Sequence, residues 1–157
     1  FITFDPSITS DDSLAHGFRV FTNPNSHCRD PALRRQGRVL QDEAVTAYTD
    51  GSCLNNGDSD ARAGSGVFFG PEDVRNISAR LPANGAANNT GEIVAPLLLL
   101  QGVPDFAPVD FITDSKLVVD GLDERHREWE EKGFIGTPNE KEWRGLLGKL
   151  RSRGAPT

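Results

Sequence analysis

From Ala44 onward the chain carries a periodicity that its first 43 residues lack. Val45, Ala47 and Thr49 alternate with Thr46, Tyr48 and Asp50, a period of two that predicts a strand closing on Asp50. Gly51 to Gly57, rich in Gly, Asn and Ser, reads as the loop that follows. Gly64 and Gly70 bracket Val67, Phe68 and Phe69 as a second strand. Between Val74 and Leu81, Ile77, Ala79 and Leu81 share one face while Asn76, Ser78 and Arg80 share the other, as in a half-solvated third strand. Asn88, Asn89 and Thr90 are capping residue types ahead of Ile93, Val94, Leu97, Leu98 and Leu100, whose spacing predicts a buried helix. Pro96 interrupts it: its ring crowds the Glu92 carbonyl and removes that carbonyl's hydrogen bond, a cost on the order of 3 kcal/mol. Val109 to Thr113 reads as a buried strand closing on Asp114, and Lys116 to Leu122 as a short helix. Trp143, Leu146, Leu147 and Leu150 form an apolar stripe, with Lys141, Arg144, Lys149, Arg151 and Arg153 around it. The order is strand, strand, strand, helix, strand, helix, helix, a meander feeding an alternating segment and therefore an α/β domain.

Residues 1–43 contain Pro6, Pro24 and Pro31 and a cluster of Arg29, Arg34, Arg35 and Arg38, read as a linker or the tail of a preceding domain with a solvated charge run. Residues 44–157 then form one domain, as a 157-residue length favours. Seventeen Lys and Arg against 23 Asp and Glu, a net charge of −6, argue against a nonspecific nucleic-acid coat while leaving room for a local basic face. Two cysteines, Cys28 and Cys53, supply neither a disulfide framework nor a four-cysteine zinc site, and fit reduced thiols of an intracellular protein, cytoplasmic or nuclear. The longest apolar run, Ile93 to Leu100, falls far short of the roughly 20 residues needed to cross a bilayer. With no Met and an acidic opening from Asp5 to Asp12, the chain reads as a fragment of a longer product.

Three carboxylates hold privileged places: Asp50 at a strand end, Glu92 in the first turn of the buried helix, and Asp114 at the end of the next strand. If those strands are neighbours, Asp50 and Asp114 converge and their like charges repel. A divalent cation relieves such repulsion, and hard oxygen ligands favour Mg²⁺ or Mn²⁺ over zinc. From spacing alone, each is equally an ordinary cap or strand-end residue. Asn56, Asp58 and Asp60 imitate alternating calcium-loop ligands, but Ala61 stands where the loop requires Gly and Val67 where it requires Glu. Asn76 and Asn88 fit a glycosylation acceptor pattern, which means little without a secretory leader. His16, His27 and His126 read as surface residues.

The wording around the carboxylates is more specific. Tyr48-Thr49-Asp50-Gly51-Ser52-Cys53 followed by Asn55-Asn56-Gly57, then Arg62-Ala63-Gly64-Ser65-Gly66-Val67, Asn88-Asn89-Thr90-Gly91-Glu92 and Ile112-Thr113-Asp114-Ser115 closely resemble the ribonuclease H type 1 family. Trp129 to Gly133 and the helix start from Asn139 to Trp143 are similar to its substrate-side region. The resemblance implies a ribonuclease H-like fold, a mixed sheet flanked by helices, in which Mg²⁺, with Mn²⁺ as substitute, supports endonucleolytic cutting of the RNA strand of RNA·DNA hybrids. It implies that Asp50 bridges two metals about 4 Å apart and that Glu92 and Asp114 complete the second site. It further implies that Ser52, Asn55 and Asn56 lie beside the RNA backbone, that Asn88 and Asn89 meet the hybrid's minor groove, and that the setting is a retroelement polyprotein with an upstream reverse-transcriptase-like domain. The family's closing strand, His-bearing loop and final helix with a fourth Asp have no counterpart before Thr157, so the expected domain is truncated and short of one metal ligand. An active nuclease and a catalytically impaired hybrid-binding or structural remnant are the two functions this leaves.

Overall fold

A computed structural model describes residues 44–82 and 87–157. The Arg cluster, Cys28, His16 and His27 lie outside them. Four strands, β1 (Val45–Leu54), β2 (Arg62–Phe68), β3 (Ile77–Arg80) and β4 (Val109–Ile112), form one mixed sheet in the order β3-β2-β1-β4. β1 pairs antiparallel with β2 and parallel with β4. The helices are α1 (Asn88–Gly102), α2 (Lys116–Asp120), α3 (His126–Glu131) and α4 (Glu140–Ser152), with a π-helical turn, Gly121–Arg125, making α2 and α3 one continuous run. This is the expected α/β fold and element order.

β1 runs four residues beyond the predicted end, so Asp50 lies in mid-strand and Gly51–Leu54 are strand, not loop. Pairing overrides local propensity here: Ala63, Gly64, Ser65 and Gly66 give β1 an unbroken partner from Tyr48↔Phe68 to Leu54↔Arg62. The turn falls at 55–60, where Asn55 and Gly57 have φ of 52° and 97° and Asn55 Nδ2 donates to Asp60 Oδ2 at 2.8 Å. β3 starts at Ile77, later than predicted, because Asn76 is spent on the preceding turn, accepting from Phe69 N–H and donating to the Gly70 carbonyl.

α1 packs on β1 and β2 with one side and on α4 with the other, which is why Ile93, Ala95, Leu99 and Leu100 are all fully buried. Asn88, Asn89 and Thr90 do not cap it; Ala87 holds the cap position and these three form the first helical turn, putting Glu92 in the second. The helix continues through a buried Pro96. On α4, Trp143, Leu146, Leu147 and Leu150 are buried as the stripe predicts. A Cβ on Gly121 would sit 2.2 Å from the Trp143 ring, so the π turn lies directly on that indole, which also packs on Trp129 at 4.8 Å.

His126 and Arg153 are buried, although His126 reads from the sequence as a surface residue. His126 is 3% exposed, its Nδ1 donating to the Gly121 carbonyl, and burial pushes its imidazole below the usual pKa. The wider π turn keeps Val118, Leu122 and His126 in line on the inward side, so the histidine takes a core position. Arg153, 1% exposed, follows α4 and donates to the Pro104 and Ala107 carbonyls and to Thr157 Oγ1. It thereby fastens the loop before β4, whose Val109 N–H donates to the Pro156 carbonyl. Among the described residues no helix is long and apolar enough to cross a membrane.

Replacing Pro96 with Ala restores the Glu92 carbonyl's helical partner but empties part of a packed site. We therefore expect Pro96→Ala to raise stability by about 1 to 2 kcal/mol, less than the roughly 3 kcal/mol helix term alone. Urea denaturation midpoints of the two proteins check this.

Candidate active site

The parallel register sets the site. Tyr48 of β1 is level with Ile112, the last residue of β4. Continuing both strands by two residues brings Asp50 level with Asp114, beyond the last β1–β4 pair. The end of β4 leaves a crevice beside β1, and Glu92 enters it from α1. Carboxylate oxygens of Asp50, Glu92 and Asp114 all lie within 4.8 Å of one another. Asp50 and Asp114 are exposed, whereas Glu92 is 8% exposed and its Oε2 has no hydrogen-bond partner.

Two glycines make this approach possible. A Cβ on Gly51 would fall 2.3 Å from the Glu92 amide nitrogen, and one on Gly91 would fall 2.6 Å from the Gly64 carbonyl oxygen. Backbone therefore lies against backbone where α1 crosses β1 and β2. Burial pushes the Glu92 carboxyl above its ordinary pKa, and the Asp50 and Asp114 charges push it further; a hydrogen bond from the Gly51 N–H acts in the opposite direction.

The other sequence-predicted residues sit around this centre in different ways. Ser52 is exposed on the Asp50 face of β1. Asn56 Oδ1 accepts from the Asn88 N–H at 3.3 Å, so the β1–β2 turn supplies the start of α1 with an acceptor that Ala87 lacks. Asn55 is engaged with Asp60, and Asn89 is exposed. In the 56–60 segment, the Asn56 side chain is used at the helix start and the Asp60 carboxylate in the turn. Lys132 pairs with Glu128, and Arg144 stacks over the Phe134 ring at 4.7 Å while donating to the Gly133 carbonyl at 2.7 Å.

Three polar residues fasten the Glu92 turn; sequence reasoning read Thr90 only as a capping type and gave Ser65 and Asn139 no separate role. The Ser65 hydroxyl, buried, donates to the Gly91 carbonyl at 2.8 Å, and Thr90 Oγ1 donates to Asn139 Oδ1 at 2.8 Å. Asn139 holds φ of 55° just before α4. A Pro-Asn pair ahead of a helix signals that turn, but nothing local signals its partner 49 residues away.

The family model described as RNase H matches residues 42–149. The chain belongs to the RNase H family. Ribonuclease H1 of Mus musculus is 33% identical to it over 94 residues, 59% of this chain and 33% of that protein. Ribonuclease H of Schizosaccharomyces pombe is 37% identical over 87 residues, 55% of this chain and 32% of that protein. Ribonuclease H of Prochlorococcus marinus is 32% identical over 111 residues, covering 66% of this chain and 67% of that one. The chain thus spans about a third of the length of the mouse and fission-yeast relatives. The crystal structure of LC9-RNase H1, a type 1 RNase H with the type 2 active-site motif, superposes with a TM-score of 0.54 at 21% identity over 72% of this chain and 61% of that one. The foamy viral protease-reverse transcriptase in complex with dsDNA gives a TM-score of 0.54 at 20% identity over 69% and 75%. At these identities the structures share the fold, and the RNase H-like fold expected from the motifs is the one observed.

A carboxyl held above its ordinary pKa in the folded state costs stability as pH rises through the window from about 4.5 upward, because the folded form binds the proton more tightly. In the metal-free chain Glu92→Gln should therefore raise the melting midpoint at pH 7.5, by the equivalent of about 1 kcal/mol after allowing for screening by solvent at the open side of the crevice. The difference should shrink as pH falls through 4.5 and vanish well below it, where Glu92 is protonated in both states. Paired thermal melts at pH 3 and 7.5 check it.

Proposed function

We propose that this RNase H-family chain cuts the RNA strand of RNA·DNA hybrids endonucleolytically, with Asp50, Glu92 and Asp114 holding a divalent cation. The observation that carries the reading is the unpartnered, buried Glu92 oxygen facing two further carboxylates. Like charges at this separation, one of them desolvated, lack a compensating positive charge among the described residues around them. An all-oxygen donor set suits Mg²⁺, or Mn²⁺ in its place. When bound, such a cation supplies positive charge against a phosphodiester undergoing hydrolysis.

The chain's own residues supply placement. Asp50 and Asp114 face solvent, so the side open to a nucleic-acid backbone is theirs, while Glu92 closes the site from behind. Asn88 and Asn89, at the start of α1, and Ser52, Asn55 and Asn56, on β1 and its turn, are proposed to contact a hybrid whose RNA strand presents 2′-hydroxyls. Residues 1–43 are proposed as a linker or the tail of another domain, and the setting as a retroelement polyprotein carrying a reverse-transcriptase-like domain, inside the cell in cytoplasm or nucleus.

Strand-labelled substrates test this. Cleavage should fall on the RNA strand of a hybrid, require Mg²⁺ or Mn²⁺, and drop at least about 10²-fold in Asp50→Asn. Gel shifts without cleavage should favour hybrid over DNA duplex and weaken as salt rises. Equal affinity for both duplexes, or cleavage unchanged by Asp50→Asn, would contradict the proposal.

A further inference from the structure

Ser65 stands opposite Gly51 in the β1–β2 register and points to the helix side of the sheet, 4% exposed. Its hydroxyl donates to the carbonyl of the Gly91–Glu92 peptide. The nitrogen of that same peptide lies against Gly51, where no Cβ fits. The peptide unit leading into Glu92 is therefore seated on β1 at one end and bonded to β2 at the other.

The Glu92 carboxyl accepts from the Gly51 N–H and Asn56 Oδ1 accepts from the Asn88 N–H, so this bond adds a further tie, through β2. Gly51 and Gly91 allow a close approach but have no side chains to interlock at this crossing. Pro96 has no N–H to give the Glu92 carbonyl, so the helix grips this turn with one bond fewer. Thr90 reaches Asn139 and ties the turn to the start of α4. The Ser65 hydroxyl is a side-chain bond that ties the turn to β2, the pairing partner of the strand bearing Asp50. We propose that Ser65 is a positioning residue for Glu92, setting α1 at the height where the Glu92 carboxylate meets those of Asp50 and Asp114. The inference rests on the metal-site reading above.

The test is Mn²⁺ titration calorimetry on the full 157-residue chain and its Ser65→Ala, Ser65→Thr and Ser65→Cys variants, with circular dichroism confirming that each is folded at the titration temperature. Ser65→Ala should bind Mn²⁺ on the order of 10-fold more weakly. Ser65→Thr, which keeps the hydroxyl, should restore binding. In the hybrid-cleavage assay Ser65→Ala should raise the Mn²⁺ concentration giving half-maximal rate and leave KM for the hybrid unchanged. Wild-type affinity in a folded Ser65→Ala overturns the inference alone, whereas no Mn²⁺ uptake by the wild type overturns the metal-site reading and this inference with it. Should Ser65→Ala not fold, the Thr and Cys variants decide: weaker binding by Cys, a poor donor, supports the inference, and equal binding overturns it.

Discussion

The close crossing of α1 over β1 and β2 is the constraint on which the candidate site depends. A helix normally stands off a sheet by the thickness of the side chains between them. At Gly51 and Gly91 that thickness is absent, and the Glu92 amide rests on the β1 backbone one residue past Asp50. With any larger residue at either glycine, the helix start would lift and Glu92 would no longer reach into the crevice. The strands contribute the second half of the geometry, since β4 ends early enough to open a gap beside β1 and late enough to carry Asp114 to its rim.

The arrangement is electrostatically expensive. Glu92 is taken out of water and placed between two exposed carboxylates, with the Gly51 N–H as its compensating donor. An apolar residue at position 92 would pack there without that cost. The rest of the fold is built to hold the strained element in place: α4 covers the outer side of α1 with Trp143, Leu146, Leu147 and Leu150, and Ser65 and Asn139 secure its start from two directions. Stability held in this hydrophobic layer supports a site that is itself destabilising.

Most of the element order was legible in the sequence, because period-two alternation in β1 and the apolar spacing of α1 and α4 reflect a single buried face each. Two of the three carboxylates were legible for a different reason: each stands beside a glycine fixed by backbone crowding, Gly51 next to Asp50 and Gly91 next to Glu92. What misled was information carried by partners distant in sequence. Gly51–Leu54 looks like a loop until β2 pairs with it, and Asn88–Thr90 look like caps until Asn56 and Asn139 occupy the places around them. His126 and Arg153 look solvated beside their charged neighbours, yet a π turn lines one up with the core and the loop carbonyls before β4 bury the other. Charge signals exposure only where no backbone acceptor is within reach.

The central claim is that three carboxylates from three elements act as one cation site. Paramagnetic broadening tests it most directly, by adding substoichiometric Mn²⁺ to the 15N-labelled chain and following its backbone amides. The account predicts that Asp50, Gly51, Glu92 and Asp114 broaden first and together, with little effect at Asp58, Asp60, Asp123 or Glu124. Broadening spread evenly over those acidic surface positions, or centred on the β1–β2 turn, would contradict it.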